Sequence, residues 1–391
     1  MHPILAALRD SAEEFVAVRR DLHRHPELGF EEHRTSDMVA SLLAEWGYEV
    51  ERGLGTTGVV GRLRRGTGNR SLGIRADMDA LPMEEATGLP YASCHPGVMH
   101  ACGHDGHTTM LLCAAKYLAR RGDFSGTLNL IFQPAEEGLG GAKKMMEDGL
   151  FRKYPCDAVF AMHNVPGTAS GRLLLREGAA QASADNVTIT LEGVGGHAAI
   201  PHHAADPVVA GASIVMALQT IVARNVDPLQ AAVITVGAFQ AGTVSNIIPS
   251  HAVLRLSVRA LDRDVRERIE QRVRDLVSAQ AQSYGVTAQV DYQRGYPVLV
   301  NTPAETAFAS QVALDLLGAS HVNCQASPIA ASEDFAFMLD AVPGCYLWLG
   351  NGEGGKAGGC SVHNPGYDFN DGNIAVGAAY WALLCERFLV D

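Results

Sequence analysis

Short apolar runs separated by amphipathic stretches set the pattern of the first part of the chain. Leu72 to Ala76 (LGIRA), Leu128 to Gln133 (LNLIFQ) and Ala158 to Met162 (AVFAM) are nearly continuous in apolar residues. Such runs mark strands buried on both faces in a largely parallel sheet. Between them, Thr108 to Arg121 and Gly141 to Leu150 read as helices. The stretch up to Phe30 reads as an amphipathic helix broken by charges. This alternation continues to about Arg176 and predicts an α/β domain, a mixed, largely parallel sheet flanked by helices.

The pattern changes near Asp185. Asn186 to Leu191 (NVTITL) alternates apolar and polar, as a half-exposed strand does. A helix over about Asp206 to Arg224 follows, then strands over Ala232 to Phe239 and Ala252 to Ala260. A charged helix from about Asp264 to Tyr284 leads to a last strand, Ala288 to Gln293. The order β-α-β-β-α-β predicts a separate ferredoxin-like two-layer unit with antiparallel pairing. After Tyr296 the α/β pattern resumes. The expected organisation is a discontinuous catalytic domain, residues 1–184 and 297–391, carrying an inserted domain at residues 185–296.

Composition narrows the classes. The 391 residues are 47% hydrophobic and 19% charged, enough to bury a large core. The formal net charge is −12, which argues against a nucleic-acid partner and against an anionic membrane surface. No apolar run reads as a membrane span, and the N-terminus lacks the layout of a secretory signal, so a cytoplasmic protein is expected. The eight cysteines are scattered without a paired framework, as in a reduced protein.

The candidate chemistry gathers where strands end, which is where open α/β sheets bind ligands. Asp77-Met78-Asp79 follows LGIRA and offers a metal ligand or an orienting acid, with a turn or helix cap as the plain alternative. MHACGHDGH, from Met99 to His107, holds Cys102 and His104 one residue apart in a glycine-containing loop. Thiolate and imidazole suit zinc or another borderline transition metal, whereas a structural zinc knot would use paired cysteines. Gln133-Pro134-Ala135-Glu136-Glu137-Gly138 follows LNLIFQ. One glutamate there can bind metal while its neighbour serves as a general base, although acidic residues also favour helix starts. His163, after AVFAM, and His363, in a glycine-rich loop, are further imidazoles that could be ligands or ordinary structural histidines. One thiol, three imidazoles and at least one carboxylate exceed the needs of a single four-coordinate ion and suggest a metal pair.

Taken in order, DLHRHPELGFEE, IRADMDALPM, MHACGHDGH, FQPAEEGLGGA, AMHN, GGHAAIPH, SNIIP, SEDFA and HNPGYDFND resemble the co-catalytic metallopeptidase superfamily of aminoacylase and carboxypeptidase G. More narrowly they resemble its amidohydrolase branch, which includes hippurate hydrolase, N-acyl-amino-acid amidohydrolase and indoleacetyl-amino-acid hydrolase. The resemblance implies two divalent metal ions per subunit, with Mn, Zn, Co and Ni all open. It implies Cys102, His104, Glu137, His163 and His363 as ligands, Glu136 as general base and Asp79 as the acid that orients a ligand. In the wider superfamily a histidine precedes that acid by two residues; here Asp77 takes its place. Cys102 stands where a bridging aspartate is usual.

The resemblance also implies a lid and dimerisation role for the inserted domain, hence a homodimer. His197 would donate to the oxyanion once the lid closes, and Asn246 and Arg259 would contact the oxyanion or the substrate carboxylate. Arg259 is equally readable as an outward strand residue, and His202 and His203 read as structural. The implied reaction is hydrolysis of a small-molecule N-acyl amino acid, hippurate-like, to a carboxylic acid and a free amino acid. The alternatives are deacetylation of N-acetyl amino acids or N-acetyldiaminopimelate, and dipeptide hydrolysis. A non-catalytic binding protein on the same scaffold would lack a base or a ligand, yet every matched position is filled. Redox chemistry at Cys102 would need a free thiol of low pKa.

Overall fold

The computed structural model describes residues 2–390. Its contacts divide the chain into two compact units. The first comprises the chain up to Gly178, Val300–Ser327 and the chain from Asp334 onward; the second comprises Ala179–Leu299 and Pro328–Glu333.

The first unit is built on an eight-stranded sheet. Ser71–Asp77 runs parallel to Gly126–Gln133 on one side and to Ala158–Pro166 on the other. Gly344–Gly352 continues the parallel set beside Ala158–Pro166. Glu49–Leu54 and Gly58–Arg65 add antiparallel strands at one edge, so the sheet is mixed. The three apolar runs are strands, each longer than the run itself, and the first and third continue into the buried polar Asp77 and Asn164. Asp77, Gln133 and Asn164 are all buried and hydrogen-bonded at the carboxyl ends. Asp77 lies opposite Gln133 in the ladder, which brings two of the candidate segments side by side.

Helices Pro3–Arg24, His104–Arg121 and Ile374–Phe388 pack with this sheet into one core. Ile374–Phe388 is buried on nearly every side, which its apolar sequence permits. The helix expected at Thr108 begins instead at His104, with Gly103 as its N-cap. The polar residues of its first turn are buried and bonded inside the protein rather than to water. The stretch expected as one helix over Gly141 to Leu150 is two short helices, Gly141–Glu147 and Leu150–Lys153, parted by Gly149 at φ +94°.

The second unit is a four-stranded antiparallel sheet backed by two helices. Asp185–Glu192 lies between His251–Ala260 and Thr287–Arg294, and Ala232–Ala241 forms the edge beyond His251–Ala260. Val187, Ile189 and Leu191 are buried while Asn186 and Glu192 are exposed, the alternation that NVTITL carries. Ile214, Leu218 and Ile221 of helix Pro207–Asn225 and Ile269, Val273 and Val277 of helix Arg263–Ser283 complete the core. Burying each such side chain contributes roughly 1.5–3 kcal/mol. Against the expectation from sequence, Pro207–Asn225 is long and apolar enough to cross a membrane by length and composition. Its buried face belongs to the core of this unit, so apolar length here reflects packing on a sheet.

Candidate active site

The first unit brings together seven of the residues singled out above. The loop from Met99 turns at Gly103, whose φ of +91° admits glycine most readily. A β-carbon there would lie 2.3 Å from Asn164 Nδ2 and 2.4 Å from the Tyr367 hydroxyl. Those groups hold the loop: Asn164 Nδ2 donates to the Cys102 carbonyl at 2.6 Å, and the Tyr367 hydroxyl donates to Asn164 Oδ1 at 2.7 Å. Cys102 Sγ then lies 3.3 Å from His163 Nε2. His163 Nδ1 is 2.6 Å from the carbonyl of Asn164, a donor geometry that leaves Nε2 as the acceptor.

Asp79 ties two segments to each other. Its Oδ1 is 3.1 Å from His104 Nδ1 and its Oδ2 accepts the Glu137 N–H at 2.9 Å. His104 Nε2 is thereby turned into the site and lies 4.0 Å from Glu137 Oε1. His363 reaches the same carboxylate, with Nε2 3.2 Å from Glu137 Oε1. Its backbone is held at φ +58°, and its N–H donates to the carbonyl of Ala101 at 2.8 Å.

Three overlapping groups result, each with ligand atoms within 4.8 Å of one another: Cys102–His104–His163, Cys102–Glu137–His363 and His104–Glu136–Glu137. Cys102 belongs to two of them. His104 Nε2 is buried yet has no hydrogen-bond partner, and Glu137 Oε1 meets only the His363 imidazole among the described residues. A buried polar atom without a partner costs free energy, and a cation would supply one. Electrostatics point the same way. Burial pushes the Cys102 thiol well up, and the Glu137 charge adds to that. Burial disfavours charge on His104 as well, but Asp77 outweighs it and holds the imidazole well above its usual range. Burial pushes His163 down, with His107 adding to the effect. His363, half-exposed, is raised by its hydrogen bond to Glu137. A protonated thiol and crowded imidazoles become good donors once a divalent ion displaces their protons, so the residues present fit such ions.

Two sets of buried partners were not assigned from sequence. Asp77 receives His107 Nδ1 at 2.6 Å and Arg75 Nη1 at 2.7 Å, and His107 Nε2 accepts the Asn164 N–H at 3.0 Å. Asp77 therefore supports the ligand-bearing segments from behind; burial opposes its charge, but His104, Arg75 and His107 hold it well below the usual carboxylate range. The DMD spacing signalled this pair of acids but not their separate partners. The second set is a buried ion network on the helix that starts at His104. Asp105 Oδ2 is 2.8 Å from His23 Nδ1 and 3.5 Å from Arg19 Nη1, and Arg19 also pairs with Asp368 and Asp371 at 2.8 and 2.7 Å. Burial works against charge on His23, yet the hydrogen bonds to Asp105 and Glu85 lift it to about 9.

The remaining candidates lie in the second unit. His197 pairs with Ile247 in a two-stranded ladder, and the Ala198 N–H donates to the Asn246 carbonyl at 3.1 Å. His197 and Asn246 share a groove of about 840 Å³ with Gly242 and His251. The Ala199 N–H donates to His197 Nδ1 at 3.1 Å, which leaves Nε2 to carry the proton and point outward. Arg259 does not line this groove; its Nη1 donates to the Ala330 carbonyl at 2.9 Å.

A thiol, imidazoles and adjacent carboxylates gathered at the carboxyl ends of parallel strands define a metal-dependent hydrolase. Residues 73–387 match the model of peptidase family M20/M25/M40, and the chain belongs to that family. It is 45% identical over 386 residues to a hippurate hydrolase of Campylobacter jejuni, covering 99% of each chain. It is 37% identical to an N-acetyl-L-cysteine deacetylase of Bacillus subtilis, over 97% of this chain and 88% of that one. Among solved structures, a dinuclear metal binding peptidase of the M20 family from Bacillus subtilis superposes with a TM-score of 0.85 at 32% identity, covering 97% of this chain and 99% of that one. The chain is an amidohydrolase of this family that uses divalent metal ions.

Proposed function

We propose that the chain hydrolyses the amide bond of hippurate-like N-aroyl or N-acyl amino acids to a carboxylic acid and a free amino acid. The observation that carries this reading is the position of Glu136, with a carboxylate oxygen within 4.8 Å of ligand atoms of His104 and Glu137. In this reading Cys102, His104, Glu137, His163 and His363 would hold two divalent ions, and Cys102 is common to two of the ligand groups. Mn, Zn, Co and Ni all suit a set mixing thiolate, imidazole and carboxylate. Such ions, when bound, activate water and polarise the acyl carbonyl.

The chain's own residues do the rest. Glu136 takes a proton from the attacking water and returns it to the departing amine. Asp79 fixes the tautomer and aim of His104 and anchors the Glu137 backbone. His197, protonated on Nε2, donates to the oxyanion when the second unit serves as a lid. Asn246 and Arg259 contact the oxyanion or the substrate carboxylate. The second unit pairs with its copy in a homodimer, which is supported by the Ala232–Ala241 edge strand and the exposed Val208, Val209, Met216 and Val233. Eight free cysteines favour a cytoplasmic location.

The hippurate-like preference rests on the 45% identical relative. A second reading, deacetylation of N-acetyl amino acids, rests on the 37% identical deacetylase. Kinetics on N-benzoylglycine, N-acetyl amino acids, N-acetyldiaminopimelate and dipeptides, each with Mn, Zn, Co or Ni, separate them. The highest kcat/KM is expected on N-benzoylglycine. A higher value on an N-acetyl substrate would favour the second reading, and no turnover of any would overturn both.

A further inference from the structure

Two glutamates near the start of helix His33–Glu45 have different jobs. Glu27 caps the helix, accepting the N–H groups of Arg34 and Thr35 at 2.8 Å each. Glu32 occupies the cap position, yet its side chain makes no capping bond. It is fully buried and turns away from its own helix. Its Oε1 accepts the N–H of Ala135 at 2.8 Å and its Oε2 accepts the Thr57 hydroxyl at 2.5 Å. No cation pairs with it among the described residues, and burial pushes the carboxyl up to about 7. A buried, unpaired carboxyl is costly, so its placement calls for a reason beyond capping.

The reason lies in the backbone it holds. Ala135 has φ +54°, one of four non-glycine residues with positive φ among the described residues. That conformation costs an L-residue roughly 1–3 kcal/mol and persists only where its surroundings enforce it. Glu32 holds the Ala135 N–H, while the Gly141 N–H donates to the Ala135 carbonyl at 3.0 Å. Gly29 lies so close that a β-carbon on it would be 3.0 Å from Ala135. The next residue along the chain is Glu136, and the one after it is tied to Asp79. The φ of Ala135 thus decides the direction in which Glu136 leaves the main chain.

We propose that Glu32 is a positioning residue: by holding the left-handed Ala135 peptide it aims the Glu136 carboxylate at the attacking water. The inference rests on Glu136 being the base, and it extends that reading to a residue distant in sequence. Glu32→Leu keeps volume in the buried site and removes the acceptor. It should lower kcat by about tenfold or more, with KM within about twofold, as a misaimed group does. Bound metal per chain should equal that of the wild type. Glu32→Gln retains an acceptor oxygen and should stay within about threefold of wild type. Adding Ala135→Gly to Glu32→Leu should recover part of the loss, because glycine takes this φ without the enforcing bond.

A readout independent of metal and turnover is hydrogen exchange of the Ala135 amide in metal-free protein. It should be slow in the wild type and in Glu32→Gln, and faster in Glu32→Leu. Exchange in the wild type as fast as at exposed Leu139 would contradict the bond itself, even if Glu32→Leu failed to fold. Wild-type kcat in Glu32→Leu would overturn the proposal, as would a loss that follows bound metal and is not recovered by Ala135→Gly. Glu136→Gln measured alongside separates the two ideas. An active Glu136→Gln removes the base; an inactive one beside a fully active Glu32→Leu removes only the clamp.

Discussion

Two histidine-bearing regions of this molecule are organised in opposite ways. In the first unit, His104 is buried and His163 partly buried, each with a ring nitrogen bonded to a fixed acceptor, Asp79 Oδ1 and the Asn164 carbonyl. Behind them Asp77, His107, Arg75 and Asn164 form an unbroken buried chain of hydrogen bonds. In the second unit, His197 and Asn246 are exposed on an open groove, and His197 Nδ1 accepts a bond only from a backbone N–H two residues away. The contrast separates two tasks. Groups that must hold charge in fixed geometry are buried and bonded before any substrate arrives. Groups proposed to meet the substrate are left exposed on an open groove.

Substitutions in the two regions should have separable effects. Glu136→Gln should produce the largest effect, a fall in kcat of about 10³-fold with full metal content, since a base is lost and no ligand is. Turnover near wild type would remove Glu136 from the chemistry. His197→Ala should lower kcat by about 10²-fold while bound metal and Tm stay unchanged. Metal loss in that variant would erase the division between the two regions. Asp79→Asn should weaken metal binding about 10–100-fold through His104 and Glu137, measured by competition with a chelator. Unchanged affinity would mean that the buried frame does not tune the ligands.

The smallest effect concerns stability. His23 is lifted to about 9 by Asp105 and Glu85 against the cost of burial. A pKa raised on folding stabilises fully below the unfolded value of about 6.5 and ceases to do so as pH rises through about 9. Denaturant unfolding should therefore show stability falling between pH 7 and 10 by about 3 kcal/mol at most. His23→Gln should flatten that slope, and an identical slope in the variant would assign it to other groups.

The parallel strands and the order of elements in the second unit were legible because apolar runs and alternation are local signals. The candidate metal-binding segments were legible because they follow those strands. What joins them was not. Arg19 and Arg75 are buried by acids far along the chain, Asp368 and Asp371 for Arg19 and Asp334 for Arg75, and no local pattern marks these pairings. The helix beginning at His104 was read four residues late because its polar first turn resembles a loop until its buried partners are known. Nothing local in the sequence separates Glu32 from Glu27; the tertiary contact with Ala135 does.

In the proposed site, distant segments of the first unit converge to hold a pair of divalent ions, with Cys102 common to both ligand groups. Metal content of the purified chain after saturation and removal of excess ion, in wild type and in Cys102→Ala, decides whether it does. Two tightly held ions per chain are expected, falling to one or none when Cys102 is lost. A wild-type chain that holds no ion, or a Cys102→Ala chain that still holds two with unchanged affinity, would contradict it.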